Sequence, residues 1–418
     1  MDLPSALRPA ADAVVRPMRT LWLLSAAHAV NHAQAVLLPL IYLKIIDEFG
    51  VSIGAVAVLA GVSSFASGMV QLSFASLTRY VPRRVLLGLG GLVFGGGQVL
   101  LGAATSFLPF AATHIAMRVG GAPQHPVGNG LLAEQFPPNR RGFAISAHIS
   151  GGNVGTVTVP LLGAWLIAGV GWRWTVVLFG IPAVLIALAI LVLVKEAGTD
   201  RAAARAHGSV RDAFRTIRRD RDLLWLYLSS ILGGGGRGLG VVNVFVPIYL
   251  SQVVGLDDAT VALMYAVLVV FSVPAPLVAG WLSDRWGRKP LIIGVYVAGA
   301  CAFAVFLAAG SNVVGLWAGI LLLGLFNFAE SPQLQALLAD IAPAGIRDAS
   351  YAAYFTLAVG VGSLWVAVYG VVVELFGKTT GLGIVFAMMA AAFLLAALSV
   401  LPIRADERAA AQARAEGS

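Results

Sequence analysis

Residues 280–289 read Gly280-Trp281-Leu282-Ser283-Asp284-Arg285-Trp286-Gly287-Arg288-Lys289, a charged turn that joins two long apolar runs. The runs lie at about 259–283 and 290–310. Each is long enough to cross the hydrocarbon core of a bilayer as a helix, which takes about 20 apolar residues. The turn is therefore predicted to connect two membrane helices, with its basic residues at one surface of the membrane.

The same pattern extends over the whole chain, which has 418 residues, 59% of them hydrophobic and 11% charged. Soluble domains have about 25% charged residues, so this composition excludes an ordinary soluble protein. Long apolar runs recur from residue 21 to residue 402, whereas strands of a membrane barrel have about 10 alternating residues. The sequence therefore predicts an all-α membrane protein with twelve transmembrane helices.

The formal charge of +8 would suggest a nucleic-acid partner if the protein were soluble. Here the connecting segments alternate: one set holds most of the 28 basic residues, and the other holds only Lys44, Arg173 and Lys378. Basic loops remain on the cytoplasmic side of a membrane. We therefore predict no nucleic-acid binding, a multi-pass protein of the bacterial inner membrane with the lipid bilayer as its partner, and cytoplasmic termini.

The two halves of the chain repeat each other at an offset of 206 residues. This offset aligns residues 125–134 with 331–340, and it also aligns Arg79 with Arg285. A shared offset at separate places indicates a duplicated six-helix unit. We predict a cytoplasmic tail at 1–20, a six-helix bundle at 21–194, a cytoplasmic linker at 195–222, a second six-helix bundle at 223–402 and a cytoplasmic tail at 403–418.

The quoted turn resembles the cytoplasmic-loop signature of the major facilitator superfamily, Gly-x-x-x-Asp-Arg-x-Gly-Arg-Lys. The resemblance implies the major facilitator fold and a transporter of a small-molecule substrate that works by alternating access. We expect a monomer. The resemblance also implies gating residues at the inner membrane surface: Asp284, Arg285, Arg288, Arg79, Glu134 and Asp340.

A narrower resemblance comes from three places in the first half, namely His28-Ala29-Val30-Asn31-His32, His125-Pro126 and Gly151-Gly152-Asn153-Val154-Gly155. These are similar to the fosmidomycin-resistance group of the superfamily. The resemblance implies a proton-driven exporter of a phosphonate-like or other drug-like compound. The alternative function is a symporter or exchanger that takes up a small organic anion.

Arg118 and Arg237 lie inside predicted crossings, one in each half. A charged side chain at the bilayer centre costs a few kcal/mol and usually faces the interior of the bundle. Two guanidinium groups facing a midplane cavity would present forked donors to a carboxylate or a phosphonate. Alternatively, Arg118 binds backbone carbonyls, and Arg237 pairs with Glu330.

Glu330 is the acid that lies well inside a predicted crossing. An isolated buried carboxyl group can exchange protons near neutral pH, whereas one beside Arg237 stays ionised. The sequence thus allows a proton carrier or a fixed counter-ion at Glu330. Imidazole groups titrate near neutral pH, so His32 and His125 are further candidates for coupling transport to protons.

His28 and His32 stand four residues apart, a spacing that also occurs in metal sites. No acidic residue accompanies them, and we predict no metal site. No set of catalytic residues and no phosphate-binding loop is evident, so we predict no cofactor and no enzymatic activity. The remaining polar side chains in the crossings are candidates either for substrate binding or for contacts between helices: His28, Asn31, His32, His125, Asn129, Asn243, Asn327 and Gln333.

Overall fold

The structure of the protein is a computed structural model that describes residues 15–78, 80–136, 138–196, 215–342 and 347–404. Within these ranges the regular secondary structure is helical, as the long apolar runs predict. The helices of the first half are α1 (Pro17–Phe49), α2 (Ile53–Leu77), α3 (Arg83–Leu101), α4 (Phe107–Gly120), α5 (Pro126–Gln135) and α6 (Pro138–Leu193). Those of the second half are α7 (Arg221–Gly233), α8 (Asn243–Tyr249), α9 (Asp258–Val270), α10 (Pro274–Trp286), α11 (Arg288–Ala308), α12 (Val313–Asn327), α13 (Glu330–Ile341), α14 (Arg347–Phe355), α15 (Leu364–Phe376) and α16 (Lys378–Val400).

Nine helical stretches within the described ranges are long and apolar enough to cross a membrane. One of them, Gly151–Leu193, has 43 residues and contains two crossings, because Gly171 interrupts α6 with a φ of 77° and a ψ of 161°. Two further crossings consist of shorter helices, α4 with α5 and α7 with α8. The described residues therefore contain the twelve crossings that the sequence predicts.

The fourth crossing is interrupted near its middle, although its sequence predicts one continuous helix at 107–131. Helix α4 ends at Gly120, a tight 3-10 turn follows at Ala122–Gln124, and α5 begins at Pro126. Proline has no amide hydrogen to donate and is favoured at the first position of a helix. Pro126 therefore starts a new helix, which runs on to Gln135.

The seventh crossing is interrupted at Gly233-Gly234-Gly235-Gly236-Arg237-Gly238. Helix α7 ends at Gly233, and Arg237 has an extended backbone with a φ of −66° and a ψ of 135°. A wider π-helical turn follows at Gly238–Val242 before α8 begins. Arg237 therefore lies where the two helical pieces of the seventh crossing meet.

The chain forms two compact units, one of Met1–Val51 with Ala66–His207 and one of Ser52–Phe65 with Gly208–Ser418. Glycines at 151–155 bring α6 close to α1 in the first unit. A Cβ atom at Gly155 would lie 2.0 Å from the carbonyl oxygen of Ala29, so only glycine fits there. The second unit has a core of buried aromatic side chains: Tyr265, Tyr296, Phe303, Phe306, Phe386 and Phe393.

Candidate functional site

Arg237 and Glu330 form a buried ion pair in the second unit. The Arg237 Nε–H group donates to the Glu330 carboxylate, and the two side chains are 13% and 0% exposed. The other guanidinium nitrogens donate to the carbonyl oxygens of Ala358, at 2.9 Å, and Ser230, at 3.0 Å. Each nitrogen of the guanidinium thus has a partner within the protein, as the counter-ion alternative predicts.

Tyr296 and Asn327 support this pair from neighbouring helices. The Tyr296 hydroxyl lies 3.5 Å from the second carboxylate oxygen of Glu330, and Tyr296 is fully buried. The Asn327 side-chain amide donates to the carbonyl oxygen of Gly236, at 2.9 Å, and so stabilises the break in the seventh crossing. Both contacts hold the ion pair in a dry environment, where electrostatic interactions are strong.

The equivalent place in the first unit holds a neutral amide. At the offset of 206 residues, Gln124 corresponds to Glu330 and Leu24 corresponds to Ser230. The Gln124 amide donates directly to the Leu24 carbonyl oxygen, at 3.1 Å, whereas the Ser230 carbonyl accepts from Arg237. The carbonyl oxygen at this position therefore accepts a hydrogen bond from a neutral amide in the first repeat. In the second repeat it accepts one from the charged guanidinium that pairs with Glu330.

Arg118 differs from Arg237 because it makes no hydrogen bond or ion pair with any described residue. It lies in the last turn of α4 and is partly buried. Its charge interacts electrostatically with His32, Tyr42 and His125, but none of these supplies a carboxylate. An uncompensated cation at this depth is costly, and an anion would stabilise it.

Four histidines from α1, α6 and the start of α5 meet beside Arg118 in the first unit. The His28 ring stacks on His148, with centroids 4.4 Å apart, and it meets His32 and His125 edge-on at 4.4 and 4.8 Å. A Cβ atom at Gly152 would lie 2.9 Å from the His28 ring, so this glycine makes room for the cluster. Ligand nitrogens of His28, His32 and His125 lie within 4.8 Å of one another.

The other predicted polar residues include one on α1, Asn31, and several on other helices. Gln333 is buried, and its amide nitrogen lies 3.4 Å from the carbonyl oxygen of Pro276 on α10. Asn31 lines a small cavity of the first unit together with Gln124 and mainly apolar residues. Among the predicted polar residues, the side-chain oxygens of Asn129, Asn243, Asn327 and Gln333 are buried without a hydrogen-bond partner in the described part of the chain.

Three of the predicted gating residues, Glu134, Asp340 and Arg288, form ion pairs at corresponding helix ends of the two repeats. Glu134 near the end of α5 pairs with Arg83 at the start of α3. Asp340 near the end of α13 lies 3.4 Å from the Nε atom of Arg288 at the start of α11. Each unit therefore joins corresponding helix ends through a basic and an acidic residue.

Arg285, in the last turn of α10, places its guanidinium 3.8 Å from the centroid of the Trp281 ring, a cation–π contact. Arg79 and the side chain of Asp284 lie outside the described part of the chain. The gating role expected of Arg79 and Asp284 therefore stays a prediction.

Several residues that contact the predicted ones are not evident from the sequence. His148 is one of them, because spacing along α6 does not reveal which neighbour its ring meets. Arg83 belongs to the basic group at 79–84, and this charge was a signal for its pairing. Tyr296 and Ser230 gave no signal beyond their polarity within apolar runs.

Comparison with known proteins places this arrangement in a family. The family model described as Major Facilitator Superfamily matches residues 23–367. Similar proteins include a probable L-galactonate transporter of Escherichia coli (strain K12), 24% identical over 72% of this chain and 71% of that protein. Another is the fosmidomycin resistance protein of the same strain, 26% identical over 84% of this chain and 85% of that protein.

A solved structure has the same fold at low sequence identity. The inward-facing, unoccupied structure of a bacterial homologue of the human lysosomal transporter Spinster superposes with a TM-score of 0.71 at 17% identity. The match covers 94% of this chain and 96% of that one. Together with the family match over most of its length, this shows that the chain belongs to the major facilitator superfamily of membrane transporters and is not an enzyme.

Proposed function

We propose that this secondary transporter moves a small organic anion together with a proton. The observation that carries the proposal is Arg118, a guanidinium inside the first unit that has no counter-ion among the described residues. A carboxylate or phosphonate would neutralise it and would accept two parallel hydrogen bonds from its planar fork. A cationic substrate would lack such a partner, because no carboxylate of the described residues interacts with Arg118.

Coupling to protons follows from the pair of Arg237 and Glu330. An ionised Glu330 holds the Arg237 guanidinium and competes with any anion for it. Protonation of Glu330 removes that competition, so the proton and the anion favour the same state of the transporter. Because the binding of the proton and the binding of the anion strengthen each other, the transporter carries both in the same direction. A proton gradient directed into the cell would then drive uptake.

Two of the similar proteins support an anionic substrate class by their names. One is a probable transporter of galactonate, which is a sugar acid, and the other is a resistance protein for fosmidomycin, a phosphonate-like drug. The assignment of an anionic substrate to this chain is our proposal.

Proton-driven export, which the resemblance to the fosmidomycin-resistance group implies, is the second candidate. The observation in its favour is the close approach of α6 to α1 at residues 151–155, the glycine segment on which that resemblance rests. Export driven by an inward proton gradient requires that the proton and the substrate compete for binding. Cotransport requires instead that each favours the binding of the other.

A two-step experiment tests the proposal. Organic acids, phosphonates and cationic drugs are first screened for a rise in the melting temperature of the purified protein, because a bound ligand stabilises the folded state. An anion that raises it is then tested in proteoliposomes with either an acidic exterior or an acidic interior. Cotransport predicts accumulation only with the acidic exterior. Accumulation only with the acidic interior would support export, and stabilisation by cations alone would reject the anion site.

A further inference from the structure

His28 and His32 lie one turn apart on the same face of α1, and His125 faces them from the turn before α5. Their ring nitrogens lie within 4.8 Å of one another. Two histidines at positions i and i+4 of a helix, joined by a third from another segment, are a common arrangement of metal ligands.

The hydrogen bonds of the two α1 histidines orient them as metal ligands. The His28 Nδ1 atom lies 2.8 Å from the carbonyl oxygen of His148. A carbonyl oxygen only accepts, so Nδ1 carries the hydrogen and Nε2 presents a lone pair. His28 is 1% exposed, and its Nε2 atom has no hydrogen-bond partner. Metal-bound histidines characteristically donate their other ring N–H group to a backbone carbonyl in this way.

His32 has the same orientation through a hydroxyl group. Its Nδ1 atom lies 3.1 Å from Thr156 Oγ1, and the Thr156 hydroxyl donates to the carbonyl oxygen of Gly152, at 3.4 Å. Because the one hydroxyl hydrogen is used there, Thr156 accepts from His32 Nδ1–H. The Nε2 lone pair of His32 is thereby left for a metal.

We infer that His28, His32 and His125 bind one divalent transition-metal ion of the Zn²⁺ class. Imidazole nitrogens suit Zn²⁺, Co²⁺ and Ni²⁺, whereas Mg²⁺ and Ca²⁺ prefer oxygen ligands. Zn–N bonds of about 2.0 Å in a tetrahedron place the nitrogens about 3.3 Å apart, so nitrogens that lie up to 4.8 Å apart approach each other by up to about 1.5 Å when the ion binds.

The charges around this three-histidine site indicate what fills its fourth position. The three ligands are neutral, the fourth histidine of the cluster, His148, supplies no negative charge, and the charge of Arg118 acts on His32 and His125. A small anion from solution, such as chloride, therefore completes the coordination. This site goes beyond the proposed transport function: its ligands are three histidines, whereas the transport proposal rests on Arg118 and on the pair of Arg237 and Glu330, so either proposal can fail alone.

Calorimetry on purified full-length protein without a histidine tag tests the inference. ZnCl₂ should bind at one ion per chain, and MgCl₂ should give no binding. Substitutions His28→Ala, His32→Ala and His125→Ala should each weaken Zn²⁺ binding at least tenfold. His114→Ala is the matched control, because His114 is a buried histidine of the same unit that bonds the Tyr42 hydroxyl, at 2.9 Å, outside the site. It should bind Zn²⁺ with unchanged affinity.

The wild-type protein gives a second test that no misfolded variant can obscure. CoCl₂ should produce the visible d–d absorption of a tetrahedral nitrogen site, and an equimolar amount of ZnCl₂ should abolish it. Absence of Zn²⁺ binding to the wild-type protein would overturn the inference. Unchanged Zn²⁺ affinity in a folded protein that carries both His28→Ala and His32→Ala would overturn it as well.

Discussion

The guanidinium of Arg237 donates to the carboxylate of Glu330 across two interrupted crossings of the second unit. Arg237 lies in the break of the seventh crossing, and Glu330 is the first residue of α13 in the tenth. Arg237 also donates to the carbonyl oxygen of Ser230 in the seventh crossing and to that of Ala358, which lies in the π-helical turn Thr356–Gly360 of the eleventh crossing. The ion pair therefore stabilises the broken helices as well as neutralising two buried charges.

The first prediction concerns the coupling between these two residues. Arg237→Gln and Glu330→Gln should each lower the free energy of unfolding, by up to about 3 to 5 kcal/mol, because each leaves a buried charge unpaired. The double variant should lose less than the sum of the two losses, by about 1 to 3 kcal/mol, since neither charge is then left alone. Thermal unfolding of the four proteins measures this, and additive losses would argue against a direct interaction.

The second prediction concerns Arg118, where we expect a substitution to raise the stability of the protein rather than lower it. Arg118→Gln should raise the stability of the ligand-free protein by about 1 to 3 kcal/mol, because it removes a buried charge without a partner. The same change should abolish the stabilisation caused by an anionic ligand, and Arg118→Lys should not restore it, because lysine lacks the planar fork. Arg173→Gln, at the surface pair with Glu48, is the control. A loss of stability in ligand-free Arg118→Gln would show that Arg118 has a structural partner.

Much of the fold could be predicted from the sequence, because an apolar run long enough to cross a bilayer forms a helix there. The glycine run at 233–236 allows the break that precedes Arg237, but the run alone does not require it. The break at Gly121 was missed, since a glycine inside an apolar run is compatible with both a helix and a turn. Pro123 and Pro126 were the signals that could have located it.

The residues of the candidate site could be predicted from the sequence more readily than the contacts between them. The pairing of Arg237 with Glu330 was one of two alternatives, because charge alone does not determine which crossings are neighbours. The cluster of His28 with His148 depends on α6 approaching α1 through Gly152. A glycine pattern predicts close packing, but it does not identify the facing helix.

The third prediction tests that close approach. Gly155→Ala should lower the free energy of unfolding by about 1 to 3 kcal/mol, because the added Cβ atom would overlap the backbone of Ala29. Gly169→Ala in the same helix is the matched control, since a Cβ atom there meets nothing within 4 Å. Thermal unfolding of both variants measures the difference. Equal stabilities would show that α1 and α6 are farther apart than described.

The fourth prediction concerns the orientation in the membrane. Single cysteines are placed at Arg285 and Lys378, both exposed, in a background with Cys301→Ala because that cysteine is also exposed. The basic residues around 285 predict a cytoplasmic position, and Lys378 is predicted to lie outside. A membrane-impermeant thiol reagent applied to intact cells should label only Lys378→Cys. Labelling of Arg285→Cys from outside would reverse the predicted topology.

Proton uptake by Glu330 is tested most directly with Glu330→Gln in proteoliposomes, per mole of folded protein. Glutamine retains the shape of the side chain but cannot bind a proton, so the variant should exchange labelled for unlabelled anion across the membrane. It should fail to accumulate the anion when the exterior is acidic. The control Glu48→Gln should accumulate it normally. Accumulation by Glu330→Gln at the wild-type rate would contradict the proposal that protonation of Glu330 releases Arg237 for the anion.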